Sequence, residues 1–161
     1  MDFKEPSPIF SSDNVDKNTF GKFEKIVLAG GCFDILHYGH LQFLKASKEK
    51  GSSLILLLES DSFIINRKKR SPYHIQQERS ELLASVCFVD GVINLMRIFS
   101  DEDYAEIIKK IHPSVISITE GDLLEDKKKK HAQLAGSDFI CFPKFPFSSS
   151  NILTYASISR D

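Results

Sequence analysis

A chain of 161 residues, 42% apolar and 27% charged, can build one domain with a packed core but not two of ordinary size. The formal net charge of −1 gives no global electrostatic case for binding nucleic acid, and no apolar run approaches the roughly 20 residues of a membrane-spanning helix. The three cysteines, Cys32, Cys87 and Cys141, lie in or beside apolar runs, and an odd count without paired spacing argues for a reducing compartment. The N-terminus has no basic segment followed by an apolar one, so there is no sign of a signal peptide. The expected location is the cytoplasm.

Residues 1–23 are rich in Ser, Asp, Asn, Lys and Pro. They read as a polar N-terminal extension without chemistry, with Phe10 and Phe20 as surface anchors. The domain proper is expected over 24–161. Its first strand is roughly Glu24 to Ala29. The turn Gly30-Gly31-Cys32-Phe33-Asp34-Ile35-Leu36-His37-Tyr38-Gly39-His40 follows. Two glycines let the backbone turn tightly and approach a ligand. Two histidines three residues apart can place both rings on one side of the first helical turn. Free N–H groups and partial positive charge at that helix end suit phosphate, and imidazole adds donors that charge near neutral pH. The expectation is a polyphosphate site.

The helix runs to about Lys50 and is broken by Gly51-Ser52-Ser53. A second strand, Ser53 to Glu59, is apolar almost throughout, as a parallel strand covered on both faces requires. Asn66 to Tyr73 is a basic loop, either a solvated charge run or part of the ligand edge of a parallel sheet. A helix spans about Ile75 to Val86, with Arg79 one turn in, placed for phosphate or for a surface ion pair. The third strand is Val89 to Leu95, and Asp90 reads as a cap or turn residue. An acidic start at Asp101 opens the next helix, whose stripe is Tyr104, Ile107, Ile108 and Ile111 and whose end is His112-Pro113. The fourth strand, Ser114 to Ile118, leads to Thr119-Glu120-Gly121-Asp122. A helix from Leu123 carries Lys127 to Lys130, either a solvated face or an acceptor-phosphate clamp. Gly136 stops it before the fifth strand, Phe139 to Cys141-Phe142. Ser148, Ser149 and Ser150 then lead into a final helix, as N-cap and second anion cradle.

Five strands alternating with helices predict a single doubly wound α/β domain, Rossmann-like, with a five-stranded parallel sheet. The expected order is 3-2-1-4-5, which puts the switch point beside the first strand. The first turn, the basic loop, Asp122 and the serines then share one edge of the sheet.

Phe33-Asp34-x-x-His37-x-Gly39-His40 resembles the His-x-Gly-His signature of the cytidylyltransferase-like nucleotidylyltransferases. Gly31 to His37 is similar to the nucleotidylyltransferase of ADP-heptose synthesis, with glycerol-3-phosphate cytidylyltransferase the next relative. The resemblance extends from about Lys25 to about Ile158. It implies that His37 and His40 stabilise charge on the α- and β-phosphates. It implies a catalytic lysine in the basic loop, with Lys68 and Lys69 both eligible. Gly30, Gly31, Cys32, Phe33, Asp34, Gly39, Arg79 and Asp122 become nucleotide-site candidates, and Ser148, Ser149 and Ser150 holders of the phosphate tail. Two departures stand out. Ser71-Pro72-Tyr73 replaces Arg-Pro-Val, and Lys144-Phe145-Pro146-Phe147 stands where cytidylyltransferases carry Arg-Thr-x-Gly-Ile. The serine turn resembles the ADP-heptose type, which favours ATP over CTP.

The implied reaction is attack of an acceptor phosphate, such as a sugar phosphate, on the α-phosphorus of a nucleoside triphosphate, with release of pyrophosphate. The nucleophile is already anionic, so positioning and charge neutralisation suffice. Mg²⁺ would arrive with the triphosphate, held mostly by phosphate and water, without a dedicated protein site. Asp34 would orient a histidine, sit near the metal or stabilise the turn. The resemblance also admits a homodimer. Three rivals remain in view. A CTP-dependent glycerol-phosphate or phosphoalcohol transferase would use the same groups, and a non-catalytic nucleotide-binding module would share the fold. A zinc site on His37, His40 and Cys32 lacks a fourth ligand. A dinucleotide-binding domain is excluded, because Gly30-Gly31 is not followed by the required glycines.

Overall fold

The computed structural model describes residues 5–146 and 151–154. Its elements in chain order are β1 (Ile9–Ser11), β2 (Ile26–Gly31), α1 (Tyr38–Lys48), β3 (Ser53–Leu58), α2 (Asp61–Lys68), α3 (Gln76–Ala84), β4 (Gly91–Asn94), α4 (Asp101–Ile111), β5 (Val115–Thr119), α5 (Glu125–Ala135) and β6 (Asp138–Phe142). The strands form one parallel sheet in the order β1-β4-β3-β2-β5-β6. The five expected strands take the expected order, with β2 as the first of them.

Alternation along each strand builds two cores. Leu28, Ile55, Leu57, Ile93 and Ile116 face α4 and α5, where they meet Ile107, Ile108, Ile111 and Ala132. Val27, Ala29, Leu54, Leu56, Leu58 and Val92 face α1 and α3, where they meet Phe43, Leu44, Leu83 and Ala84. Every residue of β3 is buried, because the strand is central and covered on both faces. The stripe of α4 is buried as its spacing requires, and Ser100 and Asp103 close a capping box at its start.

The sheet differs from the expectation in having a sixth strand. The polar extension supplies it: Ile9, Phe10 and Ser11 pair with Val92, Ile93 and Asn94. Val15 and Phe20 are buried, so Phe20 is a core residue rather than a surface anchor. Ser7 Oγ donates to the Val89 carbonyl at 2.6 Å. Three-residue pairing leaves almost no periodic signal, which is why the strand is invisible in the sequence.

The basic loop is also partly corrected. Asp61–Lys68 is helix α2, started by Ser60, whose side chain accepts from the Phe63 N–H. Lys68 is its last residue and Lys69 its left-handed C-cap at φ 53°. The segment that follows is tied down by Asp34, which pairs with Arg70 at 2.6 Å and accepts from the Tyr73 N–H at 2.7 Å. Asp90 neither caps a helix nor turns the chain alone. It accepts from the Leu54 N–H and pairs with Lys48. Among the described residues no helix is long and apolar enough to cross a membrane. Ser148, Ser149 and Ser150 lie outside the described residues.

Candidate active site

The site forms where the chain leaves β2 and the neighbouring connections run to opposite sides of the sheet. Gly31 ends β2 and lies against the Phe33 ring. A Cβ at Gly31 would come within 3.2 Å of that ring, so a side chain there would push Phe33 out of place. Phe33 itself is buried with a positive φ of 45°, a strained conformation of the kind that persists where surrounding structure enforces it. Its ring meets His40 edge-on at 5.0 Å between centroids.

His37 is the N-cap of α1, and its Nδ1 accepts from the His40 N–H at 3.3 Å. That bond fixes the neutral tautomer with its proton on Nε2. The two imidazoles stack with centroids 3.7 Å apart and planes 15° apart. Burial lowers the pKa of His37. Burial lowers that of His40 further, to about 3, with His37 and Lys68 adding repulsion. In the free protein both rings are neutral at pH 7. An anion placed against them would reverse that preference.

A cleft of about 310 Å³ opens over this pair. It is lined by Gly30, Gly31, Cys32, Phe33, His37, Gly39, His40, Lys68 and Asp122 from the expected set. Thr119, Glu120, Gly121, Phe43, Lys144 and Phe145 complete it. These six were not singled out. The position of Thr119-Glu120-Gly121 at the C-terminal end of β5 was a usable signal, and so was that of Lys144 just after β6. Lys68 lines the cleft and Lys69 does not. Asp122 is engaged within the protein, accepting from the Leu124 N–H and pairing with Lys128 at 2.6 Å. The Cys32 thiol is pushed up by burial, so it is not a ready nucleophile.

Two candidates lie elsewhere. Asp34 is buried away from the cleft; burial opposes its charge, but Arg70 and the Tyr73 N–H hold its carboxyl below the usual range. It anchors the segment after α2 and does not orient a histidine. Arg79 is fully buried and makes neither a phosphate contact nor a surface pair. Its guanidinium donates to the carbonyls of His74, Cys32 and Glu59 and to the Asp61 carboxylate at 2.7 Å. It fastens the turn after β2 to the end of β3 and the start of α2.

A second compartment of about 300 Å³ lies among β2, β3, β5, α2, α4 and α5. Gly30 lines both compartments. Lys127 and Lys128 line this second one and also pair with Asp101 and Asp122. Among the described residues no three of His, Cys, Asp and Glu gather as a metal cage.

A histidine pair at the start of a helix, at the switch point of a parallel sheet, thus shares one cleft with a lysine in an α/β domain. Residues 28–154 match the model of the cytidylyltransferase-like family, and the chain belongs to that family. It is 40% identical over 92 residues to the FAD synthase of Pyrococcus abyssi, covering 57% of this chain and 60% of that one. It is 43% identical over 94 residues to the bifunctional protein HldE of Aliarcobacter butzleri, covering 58% of this chain and 19% of that one. The chain thus spans less than two thirds of the Pyrococcus relative's length and a fifth of the other. The lipopolysaccharide core biosynthesis protein of Thermoplasma volcanium shares the fold, with a TM-score of 0.62, 24% identity and coverage of 78% and 99% of the two chains.

Proposed function

We propose that the protein is an adenylyltransferase that moves AMP from ATP to a small phosphorylated acceptor. A phosphate oxygen of the acceptor forms a bond to the α-phosphorus of ATP, the bond to the β-phosphate oxygen breaks, and pyrophosphate leaves. The observation that carries this reading is the stacked His37–His40 pair at the start of α1, which shares one cleft with Lys68.

The acceptor phosphate needs no base, so the protein's task is placement and charge. The His37 Nε2–H and the N-terminal amides of α1 donate to phosphate oxygens. His40 takes up a proton from solvent when the triphosphate binds beside it, and the charged ring then stabilises the negative charge that grows as the α–β bond lengthens. Lys68 neutralises the oxygens shared between acceptor and α-phosphorus. Lys144 also lines the cleft and is proposed to meet the triphosphate tail. Ser148, Ser149 and Ser150 are proposed for the same tail. Mg²⁺ would supply further neutralisation on the phosphates. Glu120 and Asp122 line the cleft and would be placed to hold a Mg²⁺ that arrives with the nucleotide, as carboxylates do in many nucleotide sites. ATP is favoured over CTP by the relatives, since FAD is an adenine dinucleotide.

The test is pyrophosphate release with Mg²⁺ and either ATP or CTP, against flavin, sugar and polyol phosphates. Release is expected with ATP, falling on the order of 10²–10³-fold in His40→Ala, as for other lost charge stabilisers. Nucleotide binding without release from any acceptor would replace this reading with that of a binding module.

A further inference from the structure

A pocket of about 710 Å³ lies at the end of the sheet opposite the phosphate cleft. It is lined where β2 begins, at Lys25 and Ile26, whereas the cleft opens where β2 ends, at Gly30 and Gly31. At about 3.3 Å per residue, roughly 17 Å of strand separates Ile26 from Gly31. Apolar side chains line much of the pocket, among them Phe20, Phe23, Ile26, Ile108, Ile111 and Leu134. Leu134 belongs to α5 and is 73% exposed. The volume falls within the range of small-molecule sites, roughly 300–1,000 Å³.

The charge around this pocket is of one sign. Lys17, Lys25, Lys109 and Lys110 line it beside His112, and among the described residues no aspartate or glutamate does. None of the four lysines forms an ion pair among the described residues. Lys109 and Lys110 lie in the last turn of α4, where cations offset the helix dipole. That role does not account for Lys17 and Lys25, which come from the connection between β1 and β2. The backbone adds a second observation. Lys25 and His112 have positive φ values of 39° and 53°, so two of the four such non-glycine residues among the described ones line this pocket. Glycine would relieve either position. Lysine and histidine instead keep basic side chains there, and backbone outliers of this kind cluster where ligands bind.

We propose that this pocket binds a small amphipathic anion, with a carboxylate or phosphate head among the lysines and an apolar body along Phe20, Phe23, Ile108 and Leu134. The two parts of the ligand follow from the two parts of the pocket. An apolar body takes aromatic and aliphatic surface out of water. The head meets cations for which no lining carboxylate competes, and lysine receives carboxylate or phosphate alike as a point charge. A bare anion would leave the apolar surface wet. An uncharged alcohol would leave the lysines without a counter-charge. Each half therefore binds less well than the two joined. The site is separate from nucleotidyl transfer and stands whether or not that reading does.

The full chain is titrated by calorimetry with octyl phosphate and with octanoate, both below their micelle concentrations, and with inorganic phosphate and octanol as the separate halves. Two variants and a control are run beside the wild type. Lys17→Glu/Lys109→Glu reverses charge at two exposed positions, and Leu134→Asp puts a carboxylate on the exposed apolar wall. Lys45→Glu/Lys50→Glu makes the same change in net charge at exposed positions in and after α1, outside the pocket. At least one amphiphile is expected to bind the wild type about tenfold or more tightly than either half, and each pocket variant about tenfold or more weakly, with the control within about twofold. Added salt should weaken binding, and ATP with Mg²⁺ should leave the amphiphile in place. A preference between the two heads supports the proposal and identifies the head. No binding of either amphiphile to the wild type, wild-type affinity in both pocket variants, equal loss in the control, or displacement by ATP overturns it.

Discussion

His40 holds its proton only at about pH 3 in the folded protein, against 6.5 when solvated. Between those values the unfolded chain binds a proton that the folded chain refuses, so acidification erodes stability across that window, and the contribution is recovered as pH rises above it. The slope from this one group is about 1.4 kcal/mol per pH unit at most. His40→Asn should flatten it, and urea midpoints of both proteins at several pH values would show the difference. The same ring should take up a proton when a triphosphate binds near about pH 6, because a neighbouring anion favours the charged form. Calorimetry in buffers of differing ionisation heat would detect this uptake, and it should vanish in the asparagine variant. Lys68 and Lys69 were inseparable in the sequence but are separated by helix geometry. Lys68→Ala should lower kcat by on the order of 10²–10³-fold. Lys69→Gly sits at a left-handed C-cap and should keep its activity while gaining up to about 1 kcal/mol in stability.

At the scale of elements, α1 and its entry turn were legible because chemistry and local geometry coincide there. A strand, two glycines and two histidines in one stretch have few alternative arrangements. Arg79 shows the opposite case. Its position one turn into α3 suited a phosphate ligand as well as an ion pair, and nothing local distinguishes either from a buried staple. Its partners lie 5, 18, 20 and 47 residues away in the chain. Such contacts belong to the tertiary fold. Because the guanidinium joins α2, the end of β3 and the turn after β2, Arg79→Met should cost about 3–5 kcal/mol, the range for a buried charge pair deprived of one partner. The denaturant midpoint would report it. A loss within about 0.5 kcal/mol, typical of a surface substitution, would mean that the network contributes little. Helix α2 was missed because Asp61–Lys68 buries only Ile64 and so has no stripe to read.

The whole molecule is a sheet whose interior and β6 edge were readable and whose β1 edge was not. Central strands announce themselves by continuous apolar runs, whereas β1 is three residues in a polar stretch. Deleting residues 1–20 should strip β4 of its neighbour and expose the surface that Val15 and Phe20 cover. Thermal unfolding should fall by several degrees and aggregation should rise, since an unpaired edge recruits other chains. Retention of the full melting temperature would show that the extension is dispensable. The arrangement around Gly30 has a separate consequence. The two compartments lie on opposite faces of β2 and touch at one residue without a side chain. On the proposed transfer the acceptor phosphate attacks the α-phosphorus directly, so both substrates would have to be aboard before either product departs. Initial-velocity lines for the two should converge rather than run parallel, and an isotopically chiral α-phosphorus should emerge with its configuration inverted.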